Sequence, residues 1–301
     1  MRAFTARSIV LTLALVVPLA GWACGDSEPP APPVATPTLT LSYERAPAGS
    51  PLELTYRFVV ADTASFAEDY RVFLHVVDAD EERMWSDDHN PPVPTSQWQP
   101  GQTIEYTRTI FVPVFPYIGN ATINIGLHSA KTQASGEQAR LPLAGDDVGQ
   151  RAYRVARLEL LPQTENLFTI FKDGWHPAEL AGDSGGVEWQ WTKKEATLAF
   201  KNPKKDTLFY FDLDSPVARY VGGQQVRVIV GGQTVDEFPL AADQQLLRKI
   251  KISPAELGDA EMAELRISVD KAIVPALTPE AGSKDPRELG IRVFHSFVDP
   301  R

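Results

Sequence analysis

Leu52-Glu53-Leu54-Thr55-Tyr56-Arg57-Phe58 (LELTYRF, residues 52–58) puts an apolar side chain at every second position and a polar one between. A period of two is the signature of a strand with one face buried and the other wet. The same alternation returns at residues 123–127, where Ile123, Ile125 and Leu127 are interleaved with Asn124 and Gly126. Further β-rich runs are read at 38–43 (TLTLSY), 70–77 (YRVFLHVV), 104–112 (IEYTRTIFV) and 152–161 (AYRVARLELL). Clusters of Gly, Pro, Asn and Asp separate these runs, which is the spacing of a small antiparallel sandwich.

A second set of strands follows Pro162. It includes 187–191 (VEWQW), 195–200 (EATLAF), 207–213 (TLFYFDL), 225–230 (QVRVIV), 234–240 (TVDEFPL), 247–252 (LRKIKI), 264–269 (ELRISV) and 289–294 (LGIRVF). Gly231 and Gly232 between two of these runs predict a tight hairpin, because glycine tolerates the positive φ such turns need. Helical pieces are short, the clearest at Pro254–Leu257. The chain is therefore read as all-β. Two antiparallel β-sandwich domains are expected, an immunoglobulin-like one over 38–162 and a jelly-roll-like one, with more strands, over 163–301.

The first 23 residues carry Arg2 and Arg7, then an apolar stretch from Ile9 to Ala20, then small residues before Cys24. That is the layout of a cleaved secretory leader, too short to span a bilayer as a helix. Cys24 is the one cysteine of the chain, so neither an internal disulfide nor a multi-thiolate metal site is available. The segment around it, GWACGDSEPP, resembles the end of a bacterial lipoprotein signal. That resemblance implies acylation of the Cys24 thiol and, through Gly25, an outer-membrane location. Residues 24–37 then read as a lipidated N-terminus and a proline-rich tether (SEPPAPPVATP, 27–37) of extended, solvated backbone.

Roughly 280 residues after the leader suffice for two ordinary domains. The chain holds 29 basic and 39 acidic residues, a net charge of −10, and loss of Arg2 and Arg7 with the leader makes it more acidic. Such a balance speaks against nucleic acid as a partner. Contact with a membrane would run through the acyl chains at Cys24.

Four groups of residues carry candidate chemistry. Residues 182–186 (GDSGG) copy the nucleophile loop of trypsin-like serine proteases, with Ser184 in the nucleophile's place. Val187 stands where that family has proline, 117 residues follow Ser184, and His75, His89 and His128 all lie outside the family's histidine setting. A polar loop is the plainer reading. Asp78, Asp80, Asp87, Asp88 and His89 form an oxygen-rich pair of turns that would suit Ca²⁺, although aspartate is common in hairpins on its own account. Trp175 and Glu179 in GWHPAE read as a glycan-stacking tryptophan beside a carboxylate, whereas Trp189 and Trp191 share one strand face and read as core. Asp285 and Arg287, ahead of the last strand, read as ligand-binding groups or as an ion pair fixing the loop.

The motifs GWHPAE (174–179), WQWTKKEATLAF (189–200), SVDKAIVPA (268–276) and GSKDPRELGIRV (282–293) resemble a β-sandwich module attached to bacterial glycosyltransferases and other envelope-polysaccharide enzymes. The resemblance covers about residues 166–296. Residues 73–106 (FLHVV through TIEY) and RLPLAG (140–145) resemble an immunoglobulin-like module of similar envelope proteins. Together with the missing catalytic set, these resemblances imply a non-enzymatic, lipid-anchored envelope protein that binds a polysaccharide or a partner protein. The alternatives are a structural subunit of an envelope complex and, more remotely, a serine hydrolase at Ser184.

Overall fold

A computed structural model describes residues 31–301 except 115–116, 133–137, 182–186 and 243. Cys24, the leader and Ser184 lie outside the described residues. Pro33–Arg301 forms one compact unit.

The alternation at 52–58 becomes the central strand of a sheet. The first ten strands are β1 (Ala35–Leu41), β2 (Arg45–Pro47), β3 (Pro51–Val60), β4 (Tyr70–Val77), β5 (Arg83–Ser86), β6 (Thr103–Phe111), β7 (Gly119–Thr132), β8 (Gln138–Arg140), β9 (Asp146–Asp147) and β10 (Tyr153–Leu161). A three-stranded sheet, β1-β3-β6, faces a seven-stranded one built on the order β2-β10-β7-β4-β5, with β8 beside β7 and β9 beside β10. All pairs are antiparallel except β2, which runs parallel to β10. Leu52, Leu54, Tyr56 and Phe58 of β3 pack against Val72, Leu74 and Val76 of β4 and Ile123, Ile125 and Leu127 of β7 in one core.

β1 begins at Ala35, inside the segment read as tether. Ala35 is buried and pairs with Val60, and Pro37 is tolerated because β1 is an edge strand, where a missing N–H breaks no ladder.

The second ten strands are β11 (Thr169–Phe171), β12 (Glu179–Ala181), β13 (Val187–Trp191), β14 (Glu195–Lys201), β15 (Thr207–Asp214), β16 (Gln224–Val230), β17 (Gln233–Leu240), β18 (Leu246–Ile252), β19 (Met262–Val269) and β20 (Arg292–Pro300). They form two five-stranded sheets, β11-β14-β19-β16-β17 and β12-β13-β20-β15-β18. Without the edge strands β11 and β12, this is the two-Greek-key order of a jelly roll, as the count of runs predicts. Gly231 and Gly232 both have positive φ at the β16–β17 turn, the type I′ geometry whose twist matches the strands. Pro254–Leu257 is a helical turn with a capping box between Ser253 and Glu256.

Strands before residue 162 pair only among themselves, as do those after 168. The connection between them is held down: Leu161 accepts from the Ala48 N–H, and the Asn166 amide donates to the Ala48 carbonyl at 2.7 Å. Phe111 stacks on His295 across the two sandwiches, with ring centroids 3.9 Å apart. Lys249 reaches Glu53 at 2.6 Å.

Candidate functional site

Alternation on β7 sends Ala121, Ile123, Ile125 and Leu127 inward, so Asn120, Thr122, Asn124, Gly126 and His128 face away from the core. The neighbouring strands follow the same rule. Arg71, Phe73 and His75 of β4 pair with His128, Gly126 and Asn124, and on β10 Arg154 pairs with Asn124 and, past a bulge, Arg157 with Thr122. The outer face of the seven-stranded sheet is therefore a field of polar side chains with one aromatic in its middle.

Phe73 is 2% exposed although it points away from the core. It lies over Gly126, where any Cβ would collide with its ring, and the Arg140 guanidinium covers it at 4.5 Å from the centroid. Beside it an open cleft of about 420 Å³ is lined by Asn120, Asn124, Arg154 and Arg157, with Asp78 and Glu81 of the β4–β5 hairpin at its rim.

Two polar atoms at this cleft have no hydrogen-bond partner among the described residues. Asn124 is 7% exposed, and its Oδ1, like the Nε of Arg154 on the facing strand, is buried without a hydrogen bond. Buried polar atoms are nearly always paired, because each unmade bond costs about 1–3 kcal/mol. An unmet acceptor next to an unmet donor is the complement of a hydroxyl, which offers both.

The acidic turns do not converge. Asp78 Oδ1 accepts the N–H groups of Asp80 and Glu82, both at 2.9 Å, and so builds the hairpin turn. Asp87 accepts two hydrogen bonds from the Arg108 guanidinium at 2.8 and 2.9 Å. His89 Nε2 meets the Tyr106 hydroxyl at 2.8 Å, and Tyr56 stacks on Tyr106. This set clamps the open edges of the two sheets, β5 to β6. Burial alone would raise the Asp87 carboxyl, but hydrogen bonds from His89 and Arg108 and the charge of Arg108 hold it well below the usual carboxylate range. Burial pushes the Tyr56 and Tyr106 phenols up. Asp88 stands apart on the outer face, 3.9 Å from His128. Among the described residues no group of three His, Cys, Asp or Glu could hold a metal ion. The carboxylates of the Ca²⁺ reading are dispersed, with Asp78 on its own turn, Asp87 on Arg108 and Asp88 near His128.

In the second sandwich, Trp175 packs against the core and edge-on against Phe171, with its indole N–H donated to the Thr197 carbonyl at 2.9 Å. Glu179, Asp285 and Arg287 do come together: the guanidinium donates to Glu179 at 2.6 Å and to Asp285 at 2.7 Å. The geometry is that of an ion pair pinning the β20 approach to β12. Trp191 is buried, but in a small cluster with Val217 and Leu289 outside the main core. Trp189 flanks it, and both rings lie beside the Arg292 guanidinium, at 5.1 Å from Trp189 and 5.8 Å from Trp191.

Sequence reasoning passed over Asn120, Asn124, Arg154 and Arg157. The signal is the polar half of the alternation in NATINIGLHS (120–129) and YRVAR (153–157), whose apolar half marks the strands.

No protein-family model and no curated protein matches the chain. Among solved structures it is similar to a β-glucuronidase of Bacteroides uniformis at 11% identity and a TM-score of 0.30, covering 88% of this chain and 30% of that one. It is also similar to the CBM36-1 domain of a multidomain xylanase from the hindgut metagenome of Trinervitermes trinervoides, at 8% identity and a TM-score of 0.26, covering 44% and 95%. A third is the CBM51-2 and INT domains of Clostridium perfringens ZmpB, at 8% and 0.26, covering 61% and 38%. The chain thus spans about a third of the glucuronidase.

Proposed function

We propose that this chain is a non-enzymatic carbohydrate-binding protein of the bacterial envelope, tethered through an acylated Cys24, with the outer face of the seven-stranded sheet as its ligand surface. The observation that carries the reading is the pairing of Asn124 and Arg154. A buried acceptor and a buried donor, both unmet, sit on paired strands at the wall of an open cleft, and a sugar hydroxyl reaching them as the covering side chains turn aside would satisfy both. The side chains read earlier as ligand groups, Trp175, Glu179, Asp285 and Arg287, are engaged with the protein itself. The strand order β1-β3-β6 against β10-β7-β4 supports the immunoglobulin-like reading of the first sandwich.

A glycan array probed with the purified chain tests the proposal. Binding to one glycan class, lost in Asn124→Ala and kept in Trp175→Phe, is the expected result. Absence of binding to every glycan, or equal loss in both variants, would overturn it. Labelling with a palmitate analogue, present in the wild type and absent in Cys24→Ser, tests the anchor.

A second reading, docking of a partner protein, is favoured by a different observation. Phe168 and Ile170, at β11, and Leu180 and Val187, on the β12–β13 hairpin, are exposed at 70%, 51%, 68% and 59%. Apolar side chains on free strand edges invite strand addition. Replacing Ile170 and Leu180 by lysine would abolish such docking without touching the first sandwich.

A further inference from the structure

The face that holds the cleft also holds unneutralised positive charge. Elsewhere arginines have carboxylate partners: Arg108 with Asp87, Arg248 with Asp236, Arg287 with Asp285 and Arg292 with Asp214. On the outer face of the seven-stranded sheet, among the described residues, two do: Arg45 at the β2 edge with Glu159, and Arg154 with Asp146 at 3.3 Å.

Other arginines on this face are held by dipoles and rings. Arg71 donates to the Asp88 carbonyl at 3.1 Å. Arg140 donates to the Gln150 carbonyl at 2.9 Å and lies over Phe73, and Arg151 donates to the Arg140 carbonyl. Arg83 stands 3.5 Å from His75 Nε2. Arg157 is exposed and has no partner among the described residues. None of these contacts cancels a charge.

The carboxylates of this face do not make up the difference. Asp146 is taken by Arg154 and Glu159 by Arg45, while Asp78 in its turn, Glu81 at the cleft and Asp88, 3.9 Å from His128, keep their negative charges. His75 registers the field. Its imidazole is held below the ordinary histidine value first by burial and then by the Arg83 charge, with Arg140 adding and Asp88 opposing. In a chain of net charge −10, five arginines without a direct carboxylate partner, set against Asp78, Glu81 and Asp88, leave this face with an excess of positive charge.

We infer that the ligand of this face is an anionic glycan, carrying carboxylate or sulfate groups, with Arg157 as the side chain that takes an anionic group while Asn124 and Arg154 take a neighbouring hydroxyl. This rests on the carbohydrate reading above and adds the charge of the sugar to it. A guanidinium presents a planar pair of donors that matches an oxyanion bidentately, and the free fork of Arg157 lies in the same cleft as the unmet pair. Nucleic acid fits less well, because single strands bind by stacking bases on exposed aromatic faces, and the aromatic ring in the middle of this face, Phe73, is covered by Arg140.

The test is titration calorimetry of the full chain with a set of polyuronates and their carboxyl-reduced counterparts, dextran sulfate and dextran, and a single-stranded oligonucleotide. The expected result is at least one anionic glycan binding about tenfold or more tighter than its neutral counterpart, with affinity falling as salt rises. Arg157→Ala should weaken that binding about tenfold or more, and Arg227→Ala, in the other sandwich, should leave it unchanged. Equal affinity for the anionic and neutral members of each pair would overturn the charge inference and leave the carbohydrate reading standing. Failure of every glycan to bind would overturn both. Tighter binding of the oligonucleotide than of any glycan, or equal weakening by Arg157→Ala and Arg227→Ala, would overturn the proposed ligand or its placement.

Discussion

Asn124 and Arg154 face each other across the β7–β10 ladder, and neither the amide oxygen of one nor the Nε of the other is hydrogen-bonded. A buried acceptor and donor that the chain leaves unmet are completed by water or by a ligand. This gives the first prediction. Asn124→Ala removes the unmet acceptor at the wall of an open cleft, so the free protein should be unchanged or more stable by up to about 1 kcal/mol. Most buried substitutions go the other way by a similar amount. Thermal denaturation reads the effect, and a loss above about 1 kcal/mol would show that the amide supports the fold.

Gly126 is required by its neighbour. Phe73 occupies the space that any Cβ at 126 would need, and the Arg151 carbonyl closes the same space. Gly126→Ala should therefore displace Phe73 and unseat Arg140, destabilising the first sandwich by about 1–3 kcal/mol as overpacking does. Denaturant unfolding measures this. A pre-emptive repair, Gly126→Ala with Phe73→Leu, should recover part of the loss.

Acid stability should depend on Asp87. Its carboxyl is depressed in the folded protein relative to about 3.9 in the unfolded chain. Its contribution is thus fully present above pH 4 and is lost as pH falls through the lower folded value. Asp87→Asn should cost about 2 kcal/mol at pH 7, discounted because the Arg108 side chain is 36% exposed. Below pH 4 the wild type should lose stability more steeply than the variant, so that the two curves approach each other. Parallel curves would mean that Asp87 carries no such coupling.

The sandwiches were legible because strands announce themselves through the apolar half of a period-two pattern. LELTYRF, INIGL and TLFYFDL all became core strands with those apolar residues inside. The candidate site was not legible for a related reason. Which polar residues on an outer face lack partners depends on register across β4, β7 and β10, and register is a property of several strands at once. Which way Trp175 points is likewise set by backbone geometry at its neighbour, which residue types alone do not show. Here Gly174, at φ +86°, lets the chain press against Glu195 and turns the ring onto the core. The short edge strands β2, β5, β8, β9 and β12 have too few residues to show a period.

If Trp175 is a packing residue, its substitution should be felt in stability alone. Trp175→Phe keeps most of the ring and removes the hydrogen bond to Thr197, a loss of about 1 kcal/mol, with ligand binding unchanged. Trp175→Ala should cost about 3 kcal/mol or more. Calorimetric binding alongside thermal denaturation separates the two roles, and loss of affinity in the stable Phe variant would return the site to the second sandwich.

The contacts between the sandwiches predict how the chain unfolds. Phe111 of β6 lies flat on His295 of β20, their planes 3° apart, and His295 is itself oriented by Asp212 at 3.1 Å. Next to this stack, Arg301 donates to the hydroxyl of Tyr43 in the first sandwich and to Tyr210 in the second. The Tyr210 phenol is pushed up to about 12, chiefly by burial, so it stays a neutral hydrogen-bonding group across the working pH range. Two domains joined only by a flexible link would melt independently, whereas this seam couples them. The wild-type chain should accordingly show one calorimetric transition. Phe111→Ala combined with Lys249→Ala removes the stack and the ion pair to Glu53 while leaving both cores intact, and should split the trace into two transitions, the second sandwich keeping its melting temperature when the first is destabilised by Gly126→Ala. A single transition in the double variant would place the coupling instead in the contacts it keeps, Arg301 with Tyr43 and Asn166 with Ala48, and Asn166→Ala and Arg301→Ala would then tell which of them joins the two.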